Sequence, residues 1–136
     1  MLPDLQREGP TIEVVTSISA AEELALKQPG LTIPKPVEMR VMVDPGAIFT
    51  VIDPEIATKL NLTAVGQEEI STATSKGVKC PKYAVRIAFP RGKWQGTVIA
   101  APILANFQID GLIGRDVLAN AVFVYNGGAN FFSLSL

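Results

Sequence analysis

The chain has 136 residues, 48% of them hydrophobic and 18% charged, with 12 basic and 13 acidic side chains and a net charge of −1. That length is one domain, and charge this balanced, without blocks of one sign, offers no surface for nucleic acid or an anionic membrane. A lone cysteine, Cys80, and no histidine exclude a disulfide framework, a Cys/His zinc site and a histidine-based triad within one chain, so any chemistry falls to carboxylates.

Thr11 to Thr16 reads as a strand. Ser19 with Glu22 three positions on forms a capping box that starts a short helix through Gln28, and Pro29-Gly30 stops it. Prolines keep 33–36 extended, after which Val37, Met39, Val41 and Val43 alternate with Glu38, Arg40 and Met42, the period of a strand with one buried face. Asp44 stands at the end of that strand, on an Asp44-Pro45-Gly46 turn. Ala47 to Ile52 is β-branched and apolar enough to predict a buried strand, and Asp53-Pro54 then caps a helix with Ile56, Ala57 and Leu60 on its apolar face.

A hairpin over about 68–89 follows, with the small polar stretch Ser71 to Pro81 between its arms and Gly77 near its tip; Tyr83, Val85, Ile87 and Phe89 alternate along the return strand. Lys76, Lys79 and Lys82 read as its wet side. After the turn at 90–93, Trp94 to Leu104 predicts a strand interrupted at Pro102. Ile109 to Ile113 predicts a short strand broken by Gly111, and Gly114 precedes a helix of a turn or two through Leu118. Asn126-Gly127 is a hairpin signal between Val122/Val124 and Phe131 to Leu136. No run reaches the ~18 apolar residues of a membrane helix, and the N-terminus lacks the basic start and apolar core of a signal peptide. The resulting expectation is a cytoplasmic protein without membrane contact.

Two segments carry chemical information. The first is Val41-Met-Val-Asp44-Pro45-Gly46-Ala47-Ile48-Phe49-Thr50, an apolar strand that runs into a carboxylate on a tight turn. The second is Ile109-Asp-Gly-Leu-Ile-Gly-Arg-Asp-Val-Leu118. By itself Asp-Pro-Gly is also an ordinary surface turn. Together, in this order and at this separation, the two segments resemble the retropepsin-like (retroviral-type) aspartic proteases. The first resembles their active-site loop, with Pro45 in place of the usual Thr or Ser, and the second their late glycine segment. The resemblance covers roughly 35–136 and leaves 1–34 as a strand-helix extension packed on the same domain, of a kind some bacterial members carry.

The resemblance implies an all-β, closed β-barrel of the acid protease fold with short helices, against a generic small barrel or sandwich. It implies Asp44 as the catalytic residue, with Pro45, Gly46 and Ala47 completing the loop. Thr74, Ser75, Lys76 and Gly77 would form a flap over substrate, and Gly111, Leu112, Ile113, Gly114, Arg115 and Asp116 would brace the site from below. Asp53 reads as a helix cap, Asp116 as a first-turn charge with Arg115 its neighbour, and Trp94 and Tyr83 as core or pocket aromatics.

Aspartic proteolysis needs two carboxylates sharing one proton, and one chain carries one such loop. The implied assembly is therefore a homodimer with an Asp44 from each copy at or near the two-fold axis, consistent with the apolar composition, and with apolar C-terminal residues such as Phe131, Phe132 and Leu134 contributing to its stability. The implied partner is a peptide or protein substrate, with water as nucleophile and no cofactor or metal. In this family the middle residue's hydroxyl bonds across the dimer; Pro45 has neither a hydroxyl nor an N–H. The alternative function is accordingly a catalytically silent module that keeps the fold for peptide binding or for a structural role.

Overall fold

A computed structural model of the chain describes residues 4–71, 77–103 and 108–136. Its elements in order are α1 (Leu5–Glu8), β1 (Thr11–Ile18), α2 (Ala20–Lys27), β2 (Val37–Val43), β3 (Val51–Ile52), α3 (Pro54–Lys59), β4 (Gly66–Ile70), β5 (Val78–Phe89), β6 (Gly92–Ala100), β7 (Gly111–Ile113), α4 (Arg115–Leu118), β8 (Val122–Asn126) and β9 (Phe131–Ser135).

The strands run in the order β1-β2-β7-β3-β6-β5-β4, and β1 also pairs with β5. That last pairing closes a barrel, with β4 hanging from β5 outside the ring. The ladders are mixed. β2 runs parallel to β7 and β3 parallel to β6, while the other neighbours are antiparallel. The closed β-barrel with short helices is therefore the fold this chain adopts. Closure is done by β1, which is set against β2 from Thr11↔Met42 to Thr16↔Val37 and against β5 from Val15↔Ala88 to Ile18↔Val85.

Local sequence explains most boundaries. Ser19 caps α2 by accepting the Glu22 N–H, and Asp53 caps α3 by accepting the Glu55 N–H with Pro54 in the first turn. On β2 the predicted alternation holds: Met39, Val41 and Val43 are buried and Val37 half-buried. Ile56, Ala57 and Leu60 of the α3 region join Val14, Ile18, Ile52, Val85, Ile87, Val98, Ile113 and Val117 in one apolar interior.

Two expectations are corrected. Ala47 to Ile52 is not a buried strand: only Val51–Ile52 is, and Ile48 and Phe49 are 60% and 36% exposed. The reason is that the Ala47 carbonyl and the Thr50 N–H bond to Arg115 and Asp116, and pairing with β6 begins only at the Thr50 carbonyl, which accepts the Ile99 N–H. The strand predicted from Ile109 likewise begins at Gly111. The C-terminal hairpin forms as read, β8 against β9 from Val122↔Ser135 to Asn126↔Phe131. Its Leu134 is buried in the chain's own interior, whereas Phe131 stays exposed.

Candidate active site

Asp44 is the first residue beyond β2, and the turn around it is built from its own carboxylate. The Ala47 N–H donates to the Asp44 carbonyl at 3.0 Å, closing a four-residue turn with Pro45 and Gly46 at its centre. The Gly46 N–H donates to Asp44 Oδ1 at 2.9 Å. Neither bond uses an N–H at position 45, so proline fits the turn. A Cβ on Gly46 would lie 3.1 Å from Asp44 Oδ1, close enough that the carboxylate would have to shift by a few tenths of an ångström, so Gly46 keeps this approach open. Asp44 and Ala47 are half-exposed, and Pro45 and Gly46 exposed. The carboxylate thus faces outward from a rigid turn with Oδ1 already oriented.

Beneath the turn lies the second segment. β7 passes between β2 and β3, with Val43 opposite Ile113 on one side and Ile52 opposite Gly111 on the other. The two motifs therefore meet under Asp44, as the acid protease fold requires and a generic sandwich does not. The Asp44 N–H donates to the Ile113 carbonyl at 2.9 Å, and the Arg115 N–H to the Ala47 carbonyl at 2.8 Å. Gly114 lies so close to the loop that a Cβ there would fall 2.6 Å from the Phe49 carbonyl carbon and oxygen. Only glycine fits.

Thr50 is the residue the sequence reading missed. It is fully buried, and its hydroxyl donates to Asp116 Oδ1 at 2.7 Å while accepting the Gly114 N–H at 3.0 Å. The Thr50 N–H donates to Asp116 Oδ2 at 3.0 Å, and the Val117 N–H to Asp116 Oδ1 at 2.8 Å. Asp116 is therefore more than a first-turn charge: it grips the far end of the Asp44 loop. The only available signal was a lone hydroxyl inside an apolar run. Arg115 contributes through its backbone, because its side chain is exposed and makes no ion pair among the described residues.

A second polar tie lies one strand over. The Asp110 N–H donates to the Arg40 carbonyl, the Arg40 N–H to Asp110 Oδ2, and the Asp53 N–H to the Asp110 carbonyl. Asp110 is thus a splice between β2, β7 and the start of α3. Of the remaining expected site residues, Gly111, Ile113 and Gly114 are buried in this floor and Leu112 is half-buried. Gly77 lies at the β4–β5 hairpin, while Thr74, Ser75 and Lys76 lie outside the described residues. No cluster of metal-ligating side chains occurs among the described residues.

With this geometry in view, comparison with known families is decisive: a family model described as aspartyl protease matches residues 30–117. The chain belongs to the aspartyl protease family. Its matched region holds both the Asp44 loop and the Gly114–Asp116 brace, and the barrel has the retropepsin-like acid protease fold. No curated protein matches the chain. Among solved structures it is similar to a crystal structure of the retroviral protease-like domain of Ddi1 from Leishmania major, at 12% identity, with 92% of this chain and 88% of that chain covered and a TM-score of 0.49. No described helix is long and apolar enough to cross a membrane.

Proposed function

We propose that this aspartyl protease family member is an endopeptidase that works as a homodimer, with Asp44 of each copy activating water for peptide hydrolysis. The observation that carries the proposal is the Asp44 turn itself. Its carboxylate is half-exposed, oriented by the Gly46 N–H, and seated on a floor locked by Thr50, Gly114 and Asp116. Two such carboxylates face to face share one proton, because like charges so close cannot both ionise. The ionised one takes a proton from water as it attacks the scissile carbonyl carbon, and the protonated one gives its proton to the carbonyl oxygen. Collapse of the resulting diol breaks the C–N bond as the leaving nitrogen takes up a proton. This scheme favours activity below neutrality.

Support for the dimer comes from the C-terminal hairpin. Val122, Val124 and Phe131 are exposed on one face of the β8–β9 hairpin, an apolar surface of the kind a second copy covers. It lies toward the Asp44 end. Its turn residue Asn130 accepts the Leu5 N–H, and Pro10, shortly after Leu5, accepts the Val43 N–H next to Asp44.

A second reading, a catalytically silent peptide-binding module, is favoured by Pro45, which cannot supply the hydroxyl bond between loops. One experiment separates the two. A broad peptide library at mildly acidic pH should be cleaved by the wild-type dimer and left intact by Asp44→Asn. Saturable peptide binding without turnover, in wild type and Pro45→Thr alike, would replace the protease by the binding module, and a monomeric mass at micromolar concentration would remove the homodimeric protease.

A further inference from the structure

A cleft of about 640 Å³ opens at the end of the barrel away from Asp44. β1 and β2 fix its place. Their pairing runs from Thr11↔Met42 near Asp44 to Thr16↔Val37, and the cleft is lined by Ser17 and Ile18 at the finish of β1 and by Pro36 just before β2. From Pro36 along β2 that is roughly 25 Å from Asp44 at about 3.3 Å per strand residue. It is a separate place on the molecule, independent of the proposed active site.

Its walls are apolar and stiff. Ile33, Pro34 and Pro36 form one side, on an extended stretch whose prolines fix the backbone, and the half-buried Trp94, over the core residue Ile87, forms the other. Trp94 sits opposite Ile87 in the β5–β6 ladder, and its ring lies over Gly96 and packs against the core. A wall that is already ordered loses little entropy on binding.

The rim carries a surplus of positive charge. Glu23, Arg86 and Lys93 are its charged residues. Glu23 is the only carboxylate there, and it is committed twice, to Lys27 at 2.9 Å and to Arg86, whose Nε also donates to the Ile18 carbonyl. Lys93 is exposed and makes no ion pair among the described residues. The cleft therefore pairs an apolar wall with unneutralised cationic charge, which complements a ligand that is bulky and apolar at one point and anionic at the next.

We propose that this cleft is a docking site for a short extended peptide segment in which an acidic residue neighbours a large apolar one. The apolar side chain lies between Trp94 and the Pro34–Pro36 wall, and the carboxylate meets Lys93. The volume suits two or three side chains.

Trp94 is the only tryptophan in the chain, so its fluorescence reads the cleft directly. The Asp44→Asn protein, which keeps any probe intact, is titrated with acetyl-Leu-Phe-Asp-Glu-amide, with acetyl-Leu-Phe-Lys-Lys-amide and with octanoate. The acidic peptide should shift Trp94 emission saturably and the basic one should not. Lys93→Glu, an exposed change with its melting temperature checked against the parent, should weaken the acidic peptide at least about fivefold, the scale of one surface charge pair made repulsive. Equal responses to both peptides, no response to either, or a Lys93→Glu protein that binds as tightly as its parent would overturn the proposal. Octanoate binding more tightly than the acidic peptide would also overturn it, by making this a site for small amphiphilic acids.

Discussion

Threonine to valine swaps a hydroxyl for a methyl at nearly constant shape, and the described residues include two fully buried threonines in opposite situations. At Thr50 the hydroxyl is both donor and acceptor. Valine there removes a hydrogen bond to a carboxylate, about 1.5–3 kcal/mol, and strands the buried Gly114 N–H, about 1–3 kcal/mol. Asp116 keeps the Thr50 and Val117 N–H groups, so the net loss should sit near the low end of that sum, about 3 kcal/mol, or roughly 10 °C in melting temperature for a chain of this size. Thr50→Ser retains the hydroxyl and loses only a buried methyl, about 1 kcal/mol. At Thr16, on β1, the hydroxyl has no hydrogen-bond partner among the described residues. Thr16→Val should stabilise by about 1 kcal/mol, since a stranded polar group is exchanged for a packed one. Denaturant and thermal unfolding of the three variants check this. If Thr50→Val and Thr16→Val move stability in the same direction, hydrogen-bond satisfaction is not what distinguishes the sites and the proposed brace under Asp44 fails.

Gly114→Ala should cost about 3 kcal/mol or more, because the added carbon meets backbone atoms of Phe49 that have nowhere to go; Arg115→Ala, next to it but exposed, should stay within about 0.5 kcal/mol, as chemical denaturation would reveal. Pro45→Thr should tighten self-association and raise peptide cleavage, each restored inter-chain bond being worth about 0.5–1.5 kcal/mol; sedimentation together with turnover of a fixed substrate tests it, and a folded, dimeric but inert variant would show that the missing hydroxyl is not limiting. Lys27 and Arg86 hold the Glu23 carboxyl below its usual range. With the folded value lowered, this tether of α2 contributes fully above the ordinary carboxyl range and is lost as pH falls through the lowered value. Amide exchange over Ala20–Lys27, corrected for intrinsic rates, should accelerate on acidification, and Glu23→Gln should flatten that dependence.

Much of this molecule was legible because local chemistry and burial pointed the same way. Ser19, Asp53 and Pro54 are capping residues wherever they fall, and the alternation from Val37 to Val43 has one structural reading. The loop after Asp44 was not legible for the opposite reason. Ile48 and Phe49 have strand-like side chains, yet their stretch bonds to Gly114 and α4, more than sixty residues away, and both remain exposed. Thr50 shows the limit most clearly. Its importance resides in partners at 114 and 116 that no window around position 50 contains. Asp44, Gly46, Gly114 and Asp116 could be singled out from motif order; how they are wired together could not.

The closing strand of the barrel also governs how the chain must fold. β1 comes almost first in sequence, but its pairing with β5 waits for residues 85–88 to become available. During synthesis it can meet β2 early, leaving an open, right-twisted ribbon with unpaired amides along an edge. Such an edge invites pairing with another chain until the ring shuts. Closure over so long a loop is an entropically slow event, so the interval between emergence of β2 and completion of β5 is the period of greatest aggregation risk. A fragment cut to the family-matched stretch from residue 30 would lack β1 and remain in that open form.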